Sequence, residues 1–206
     1  MRKNKNEELI TFKIITLGES KVGKTSLLRR YLENKFDDNC LTTIGLSFSF
    51  KDIILKNGEK VQLKLLDTAG QEKYRALAKS YFKNADGVFF VYALDNEESF
   101  NNIKEWISLF KETNQRNEAI PQYLVETKND LDRVVDEEKS KEFSKINNLK
   151  WFSTSSKKDN LISEIFEDIA ESIYQEYTKK ENRKQRNIHL SKNKIKRKKC
   201  CGGDTL

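Results

Sequence analysis

Residues 9–26 read LITFKIITLGESKVGKTS and pass from an apolar run rich in β-branched residues to a glycine-containing turn. Such a run is typical of a buried β-strand, and the KTSLLRRYLEN that follows the turn has helical spacing. Between them, residues 18–26 fit the pattern G-x-x-x-x-G-K-[ST]. In this setting a tight turn points successive N–H groups inward, and the helix adds the positive end of its dipole. The segment therefore predicts a loop that binds the phosphates of a nucleoside triphosphate.

Five further runs are typical of strands: LSFSFKDIIL, KVQLKLLD, GVFFVYALD, PQYLVETK and KWFSTSS. The first two flank Asn57-Gly58, which predicts a two-residue hairpin turn. Amphipathic helices lie between the later runs. We predict an α/β fold of the P-loop type, with a six-stranded, mostly parallel sheet, one antiparallel strand and helices on both faces. In such sheets ligands bind at the carboxyl ends of the strands.

Charge is distributed unevenly along the 206 residues. Residues 178–199 hold eleven Lys or Arg and one acid, a balance of +10. The whole chain carries +7 and Asp204 follows that segment, so residues 1–177 come to about −2. We predict a folded domain at 9–177, preceded by a short polar extension at 1–8 and followed by a flexible basic tail at 178–206.

Composition argues against several classes of protein. No run approaches the twenty or so apolar residues that span a bilayer, and MRKNKNEE has no apolar core behind its charges, so it does not resemble a secretory signal. Three cysteines, two of them adjacent, cannot form a disulfide framework. With His189 as the sole histidine, a His-based triad or a zinc site is hard to assemble. We expect chemistry carried by Lys, Thr, Asp, Gln and backbone amides.

A second motif, LLDTAGQE, closes the third predicted strand. Asp67 stands at a strand end, where it can bind a water of a Mg²⁺ shell. Gly70 lets the backbone approach a γ-phosphate, and Gln71 can orient an attacking water. Alone this would be a strand followed by a turn, but after a phosphate loop it favours nucleotide hydrolysis.

GESKVGKTS together with DTAGQE resembles the Ras superfamily of small GTPases. The resemblance continues through VYALDNEESFNNIKEWI, TKNDL and STSSK over residues 9–177, and TTIG, YFKNA and NEESFNNIKEW are most similar to the Rab family. It implies GTP or GDP and Mg²⁺ as bound groups, and a slow GTPase reaction in which Gln71 is the catalytic residue.

The resemblance also implies which residues bind the nucleotide. Thr25, Thr43 and, through water, Asp67 would hold Mg²⁺, and Asp130 would accept two hydrogen bonds that guanine offers and adenine does not. The full implied set is Gly18, Ser20, Lys21, Val22, Gly23, Lys24, Thr25, Ser26, Phe36, Thr43, Asp67, Gly70, Thr127, Lys128, Asp130, Ser155, Ser156 and Lys157.

Two residues depart from the family pattern in the nucleotide site. Thr127 stands where most members have an asparagine that braces the base and the phosphate loop. Lys21 stands where a small residue is usual; its side chain either points outward or adds positive charge near the β-phosphate.

The resemblance implies a partner surface and a set of partners. Phe48, Leu66 and Tyr81 occupy the positions of the aromatic triad that Rab proteins present to effectors, with Leu66 in place of tryptophan. The implied partners are effectors, a guanine nucleotide exchange factor, a GTPase-activating protein and a prenyl-binding dissociation inhibitor. We expect a monomer. We also expect that it binds no nucleic acid, because the tail lacks aromatic residues for base stacking.

The chain ends KRKKCCGGDTL, in which Cys200 and Cys201 resemble the prenylated pair of Rab proteins. Five residues follow the pair, more than is usual in the family, so an unmodified basic tail stays open as an alternative. Two lipids, or one lipid and a basic patch, give stable anchoring. We therefore expect a peripheral protein on the cytoplasmic face of an intracellular membrane, with a cytosolic pool.

The sequence thus predicts a Rab-like GDP/GTP switch that regulates vesicle trafficking by recruiting effectors. Three alternatives remain: a hydrolysis-impaired scaffold that stays bound to guanine nucleotide, a Ras-like signalling GTPase, and an ATP-dependent P-loop kinase or ATPase.

Overall fold

The computed structural model describes residues 9–38, 43, 45–68, 81–114 and 120–200, and from residue 184 onward it describes the backbone alone. The predicted N-terminal extension at 1–8 lies outside these residues. Within the described ranges, no helix combines the length and the apolarity needed to cross a bilayer.

Six strands form one sheet in the order β2-β3-β1-β4-β5-β6. They are β1 Ile10–Leu17, β2 Leu46–Ile54, β3 Lys60–Thr68, β4 Gly87–Ala93, β5 Gln122–Thr127 and β6 Lys150–Ser153. The β2–β3 pair is antiparallel and the other four pairs are parallel. At the predicted hairpin, the Gly58 N–H donates to the Leu55 carbonyl and the Leu55 N–H to the Glu59 carbonyl, both at 2.9 Å, so the loop holds three residues, 56–58, and not the predicted two. Gly58 has a positive φ of 85°, as the last residue of such a loop requires. The predicted fold class is confirmed.

The described helices are α1 Lys24–Glu33, α2 Glu97–Asn101, α3 Ile103–Thr113, α4 Glu137–Ile146 and α5 Ile162–Cys200. The apolar stripe from Phe100 to Phe110 is divided at Asn102 into α2 and α3. Asn102 keeps a right-handed helical conformation, so both pieces present their apolar residues to the same side of the sheet. The Asn96 side chain accepts a hydrogen bond from the Ser99 N–H at 3.0 Å and caps the start of α2.

The core lies in two layers, one on each face of the sheet. On β1, Phe12 and Ile14 join the layer that α1 and α5 cover, whereas Ile15 and Leu17 join the layer that α3 covers. This alternation is the two-residue period of a strand that is buried on both faces. The Tyr31 ring on α1 stacks on Phe166 of α5, with centroids 3.9 Å apart.

Helix α5 differs from the prediction of a flexible tail after Tyr177, because the structure continues it to Cys200. Residues 178–200 contain neither proline nor glycine and are rich in Lys and Arg, which propagate a helix readily. Tyr177 contacts Phe12 edge-on at 6.1 Å between centroids. The domain limit at 177 stays a prediction.

The parallel strands place their carboxyl ends at one edge of the sheet. Leu17 of β1 is in register with Phe90 of β4, and Ala93 of β4 with Thr127 of β5. The phosphate-loop segment, the residues after β4 and the TKND segment therefore meet at this edge, which is where binding sites of such sheets form.

Candidate functional site

The phosphate loop closes around a buried lysine. Lys24, at the start of α1, is 5% exposed, and its ammonium donates to the carbonyl oxygens of Gly18 at 2.9 Å and Glu19 at 2.6 Å. Gly18 lies so close to Val91 of β4 that a Cβ there would collide with the Val91 carbonyl oxygen. The loop is thus fitted tightly between the end of β1 and β4, with a cation at its centre.

Burial lowers the pKa of Lys24 from its usual 10.5 to about 8. The Asp67 and Glu19 carboxylates oppose this shift, but desolvation is the larger effect. The carbonyl dipoles do not replace the hydration that the ammonium has lost. The site therefore favours an anion that would restore the charge of Lys24.

Three oxygen-bearing side chains meet beside this lysine. The Thr25 hydroxyl donates to Oδ2 of Asp67 at 2.8 Å and lies 2.5 Å from the Thr43 hydroxyl. Oδ1 of Asp67 is buried and has no hydrogen-bond partner among the described residues. Burial raises the pKa of Asp67, against the effects of Thr25 and Lys24. An orphaned carboxylate oxygen beside two hydroxyls suits a hard cation with oxygen ligands, so these residues fit Mg²⁺.

A cavity of about 410 Å³ extends from this cluster along the edge of the sheet. It is large enough for a small ligand such as a nucleotide. Its lining residues come from both ends of the predicted site: Ser20, Lys21, Gly23, Lys24, Thr25, Ser26, Phe36, Asp37, Asp38, Thr43, Thr68, Thr127, Lys128, Asp130, Leu131, Ser156 and Lys157.

Asp130 lines the far end of the cavity and is held by a buried serine. The Ser155 hydroxyl donates to Oδ1 of Asp130 at 2.5 Å and accepts from the Lys158 N–H at 3.0 Å. Lys128 adopts a left-handed conformation with φ of 60°, and its ammonium lies 3.1 Å from Oδ1 of Asp95. The two loops with predicted base contacts, residues 127–131 and 155–157, thus line the cavity together.

Thr127 joins the two ends of the cavity. Its hydroxyl lies 2.5 Å from the Val22 carbonyl of the phosphate loop and 3.0 Å from the Tyr92 carbonyl of β4. Having one proton, the hydroxyl donates to one of them at a time or shares it between both. Threonine at this position therefore makes a contact with the phosphate loop, as the asparagine of most family members is expected to do.

Lys21 lines the cavity with φ of 63°, in the left-handed region that costs a residue with a side chain about 1 kcal/mol or more. Lys21 is also exposed to solvent, so its place in the lining is compatible with both of the side-chain orientations considered above.

Most predicted binding residues line the cavity, and four others contact the lining. Through the contacts described above, Gly18 touches Lys24, Val22 touches Thr127, Asp67 touches Thr25, and Ser155 touches Asp130. Gly70, Gln71 and Cys201 lie outside the described residues, as does the side chain of Cys200.

Sequence reasoning missed several contributors. Asp37, Asp38, Thr68 and Leu131 line the cavity beside predicted residues, so adjacency was their only signal. Arg30 of α1 belongs to no motif. Its Nε donates to the Ser156 carbonyl at 2.7 Å and so ties α1 to the second base loop, residues 155–157, which follows β6.

The predicted effector surface needs one correction. Phe48 and Tyr81 are 36% and 38% exposed, and their rings contact each other at 6.0 Å between centroids. Leu66 is fully buried, in the core layer that contains Ile15 and Phe82. Because both faces of β3 are covered at its carboxyl end, the Leu66 side chain lies beneath this surface and presents no area to a partner.

Comparison with known proteins agrees with this geometry. The sequence model of the Ras family matches residues 13–175. The chain is 39% identical over 163 residues to Ras-related protein SEC4 of Saccharomyces cerevisiae, covering 78% of this chain and 74% of the relative. It is 34% identical over 195 residues to Ras-related protein Rab-10 of Diplobatis ommata, covering 93% and 96%. It is also 34% identical over 200 residues to Ras-related protein Rab-18-B of Danio rerio, covering 96% and 97%.

The Lys24 pKa of about 8 predicts that GDP binding takes up a proton in mildly alkaline solution. Bound phosphates raise this pKa, so at pH 9 the free lysine is largely neutral and the bound lysine charged. Affinity should fall by up to about tenfold per pH unit above pH 8, until the pKa of the bound form is reached. Calorimetric titration at pH 9 in two buffers of different ionisation enthalpy should reveal uptake of nearly one proton, and at pH 7 almost none. Equal heats in both buffers at pH 9 would contradict the assignment.

Proposed function

This chain belongs to the Ras family, and we propose that it acts as a Rab-like small GTPase, a GDP/GTP switch on the cytoplasmic face of an intracellular membrane. One observation carries the proposal: a single cavity joins the Lys24 phosphate loop and the Thr25–Thr43–Asp67 cluster to Asp130. The residues proposed to bind the phosphates and those proposed to bind the base thus line one cavity of about 410 Å³.

The phosphate end would bind the β- and γ-phosphates. Lys24 contributes the buried cation, and the first N–H groups of α1, which have no acceptor within the helix, point into the same end. Thr25, Thr43 and Asp67 would hold Mg²⁺, which when bound neutralises phosphate oxygens during transfer to water. Since Lys24 and Asp67 are nearly desolvated, the charge of Lys24 would act on the phosphates, and that of Asp67 on Mg²⁺, with little screening.

The base end would select guanine. The Asp130 carboxylate would offer two oxygens to the N1–H and 2-amino groups of guanine, and the Ser155 hydroxyl holds it by a hydrogen bond to Oδ1. Adenine lacks this donor pair and would leave a charged group unpaired, which disfavours ATP. Lys128 would pack its alkyl stem along the base while its ammonium pairs with Asp95.

Hydrolysis and switching would involve residues outside the described ranges. Gln71 would orient the attacking water, and Gly70 together with Thr43 would sense the γ-phosphate and order two loops around it. Without a transition-state arginine in cis, intrinsic turnover should be on the order of 10⁻⁴ s⁻¹, as for Ras, and an activating protein should raise it.

The proposal extends to partners and to the membrane. The names of the relatives favour a trafficking role, in which the Phe48–Tyr81 surface would bind effectors in the GTP state. An exchange factor would load GTP, and a prenyl-binding dissociation inhibitor would keep a cytosolic pool. Prenyl groups on Cys200 and Cys201, together with the basic run before them, would supply the two signals that stable anchoring needs.

Replacing Asp130 with asparagine should reverse base preference. Asparagine offers N–H groups where the carboxylate accepted, so GDP affinity should fall at least about 100-fold, from two lost charge-assisted hydrogen bonds, while xanthosine diphosphate should bind better. Displacement of a fluorescent GDP analogue measures both affinities. Asp132→Asn is the matched control, because Asp132 is exposed and does not line the cavity; it should behave as wild type. Displacement of the analogue by ATP and GDP at similar concentrations would instead favour an ATP-dependent enzyme.

Single-turnover hydrolysis separates a switch from a locked scaffold. The wild-type protein loaded with GTP should release phosphate over hours, and Gln71→Leu should slow release about tenfold or more, because leucine cannot orient water. A partner activating protein should accelerate only the wild type. A wild type that retains GTP even with that protein present would point to the hydrolysis-impaired scaffold.

Lipidation is tested by the intact mass of the C-terminal peptide from protein isolated from its native cells. We expect two prenyl increments, on Cys200 and Cys201, despite the five residues that follow. An unmodified peptide would leave the GTPase chemistry in place and limit the protein to the cytosol or to membrane contact through charge alone. A single lipid increment would favour the Ras-like alternative.

A further inference from the structure

A second buried charge lies behind the predicted base site, and the phosphate chemistry does not use it. Glu126, the residue before Thr127, is 0% exposed. Arg133 donates to both of its oxygens, through Nη2 to Oε1 at 2.8 Å and through Nη1 to Oε2 at 2.9 Å. The Ser153 hydroxyl donates to Oε1 at 2.7 Å, and the Tyr92 hydroxyl to Oε2 at 2.8 Å. These four hydrogen bonds together offset the cost of burying the carboxylate away from water.

The Glu126–Arg133 pair joins the two ends of the first loop that is predicted to contact the nucleobase. Residues 127–132, which include Lys128 and Asp130, connect the two charged residues. Nη1 of Arg133 also donates to the Val135 carbonyl at 3.0 Å, and the Val135 N–H donates to the Leu94 carbonyl at 3.1 Å. The returning arm of the loop is thus fixed to the residue that follows β4 as well as to the end of β5.

The same carboxylate reaches the second base loop. Ser153, which donates to Glu126, accepts from Nδ2 of Asn129 at 3.2 Å, and Asn129 lies next to Asp130. The Thr154 hydroxyl and N–H both donate to the Glu126 backbone carbonyl, at 2.8 and 2.7 Å. Ser155, which follows, holds Asp130. Asp130 is therefore approached from both sides by segments tied to Glu126.

We propose that Glu126 and Arg133 are positioning residues for base selectivity: the ion pair between the buried Glu126 and the partly exposed Arg133 sets the position of Asp130 and so the preference for guanine. The inference rests on the proposed guanine-nucleotide function. A bidentate contact requires its carboxylate within about 0.5 Å of the productive position, and a six-residue loop without a brace at its base does not hold one so closely. The fork of Arg133 supplies that brace, because two parallel hydrogen bonds fix orientation as well as distance.

The test compares GDP with inosine diphosphate, which keeps N1–H and lacks the 2-amino group. Wild-type protein should prefer GDP, because inosine leaves one hydrogen bond to Asp130 unmade. Arg133→Lys keeps the positive charge and loses the fork, so the ratio of the two dissociation constants should fall about three- to tenfold toward unity. The affinity for inosine diphosphate itself should change less than that for GDP.

Two further variants support the comparison. Glu126→Gln should also lower the ratio, and it serves if Arg133→Lys does not fold. Glu97→Gln makes the same substitution in the Lys139–Glu97 pair, at 2.9 Å between α4 and α2, and should leave the ratio unchanged. Thermal unfolding of each variant records its stability separately.

The outcomes separate the inference from its premise. A variant that weakens both nucleotides equally, with an unchanged ratio, shows a merely structural role for the pair and overturns the inference. A wild-type protein with no preference for GDP over inosine diphosphate removes the guanine-selective role of Asp130, and the inference with it.

Discussion

The buried ammonium of Lys24 is the constraint on which the arrangement of the site depends. A charged group that has lost its water must be compensated, and in this fold backbone carbonyls at the end of β1 are its direct hydrogen-bond acceptors. Those carbonyls point inward only because the loop passes close against β4 at Gly18. The lowered pKa of Lys24 indicates that the compensation is incomplete. The loop is therefore organised for a further anionic partner, and the phosphate site follows from the way the first strand ends.

Glu126 differs from Lys24 in how its charge is compensated, and this difference separates a part of the sheet edge that is held by internal hydrogen bonds from a part that is completed by a ligand. Glu126 receives hydrogen bonds from Arg133, Ser153 and Tyr92, so its charge is fully compensated inside the protein. The charges of Lys24 and Asp67 are compensated less completely. Burial lowers the pKa of Lys24, and Oδ1 of Asp67 has no hydrogen-bond partner in the described part of the chain. The base loops are thus held by internal chemistry, whereas the phosphate end is completed by what binds there. Thr127 connects the two ends through the Val22 carbonyl.

Features that depend on local sequence were predictable. Features that depend on contacts between residues far apart in the sequence were not. The hairpin around Asn57-Gly58 and the phosphate loop each lie within one short segment, and the structure has both, although the hairpin loop holds three residues and not two. Leu66 was assigned to the surface by its place in a motif, but burial is decided by what packs over β3, and this does not appear in the motif. Glu126 was read as part of an apolar strand, and nothing in PQYLVETK indicates that Arg133 and Ser153 will meet it. Such a pair, with one buried and one partly exposed partner, becomes visible only when β5, β6 and the loop between β5 and α4 are placed together.

The C-terminal helix brings together the charge pattern and the membrane argument. From Tyr177 to Cys200, α5 rises about 35 Å at 1.5 Å per residue, and Cys200 stands at its end. Like charges recur four residues apart along it, as at Lys180 and Lys184 or Lys194 and Lys198, and each such repeat opposes the helix by a few tenths of a kcal/mol. Removing that repulsion with counterions or an anionic surface stabilises the helix, and each basic residue near such a surface gains about 1 kcal/mol. A helical and a flexible state of residues 178–200 thus differ by an energy that the surroundings can supply, and the membrane surface proposed above would supply such an energy.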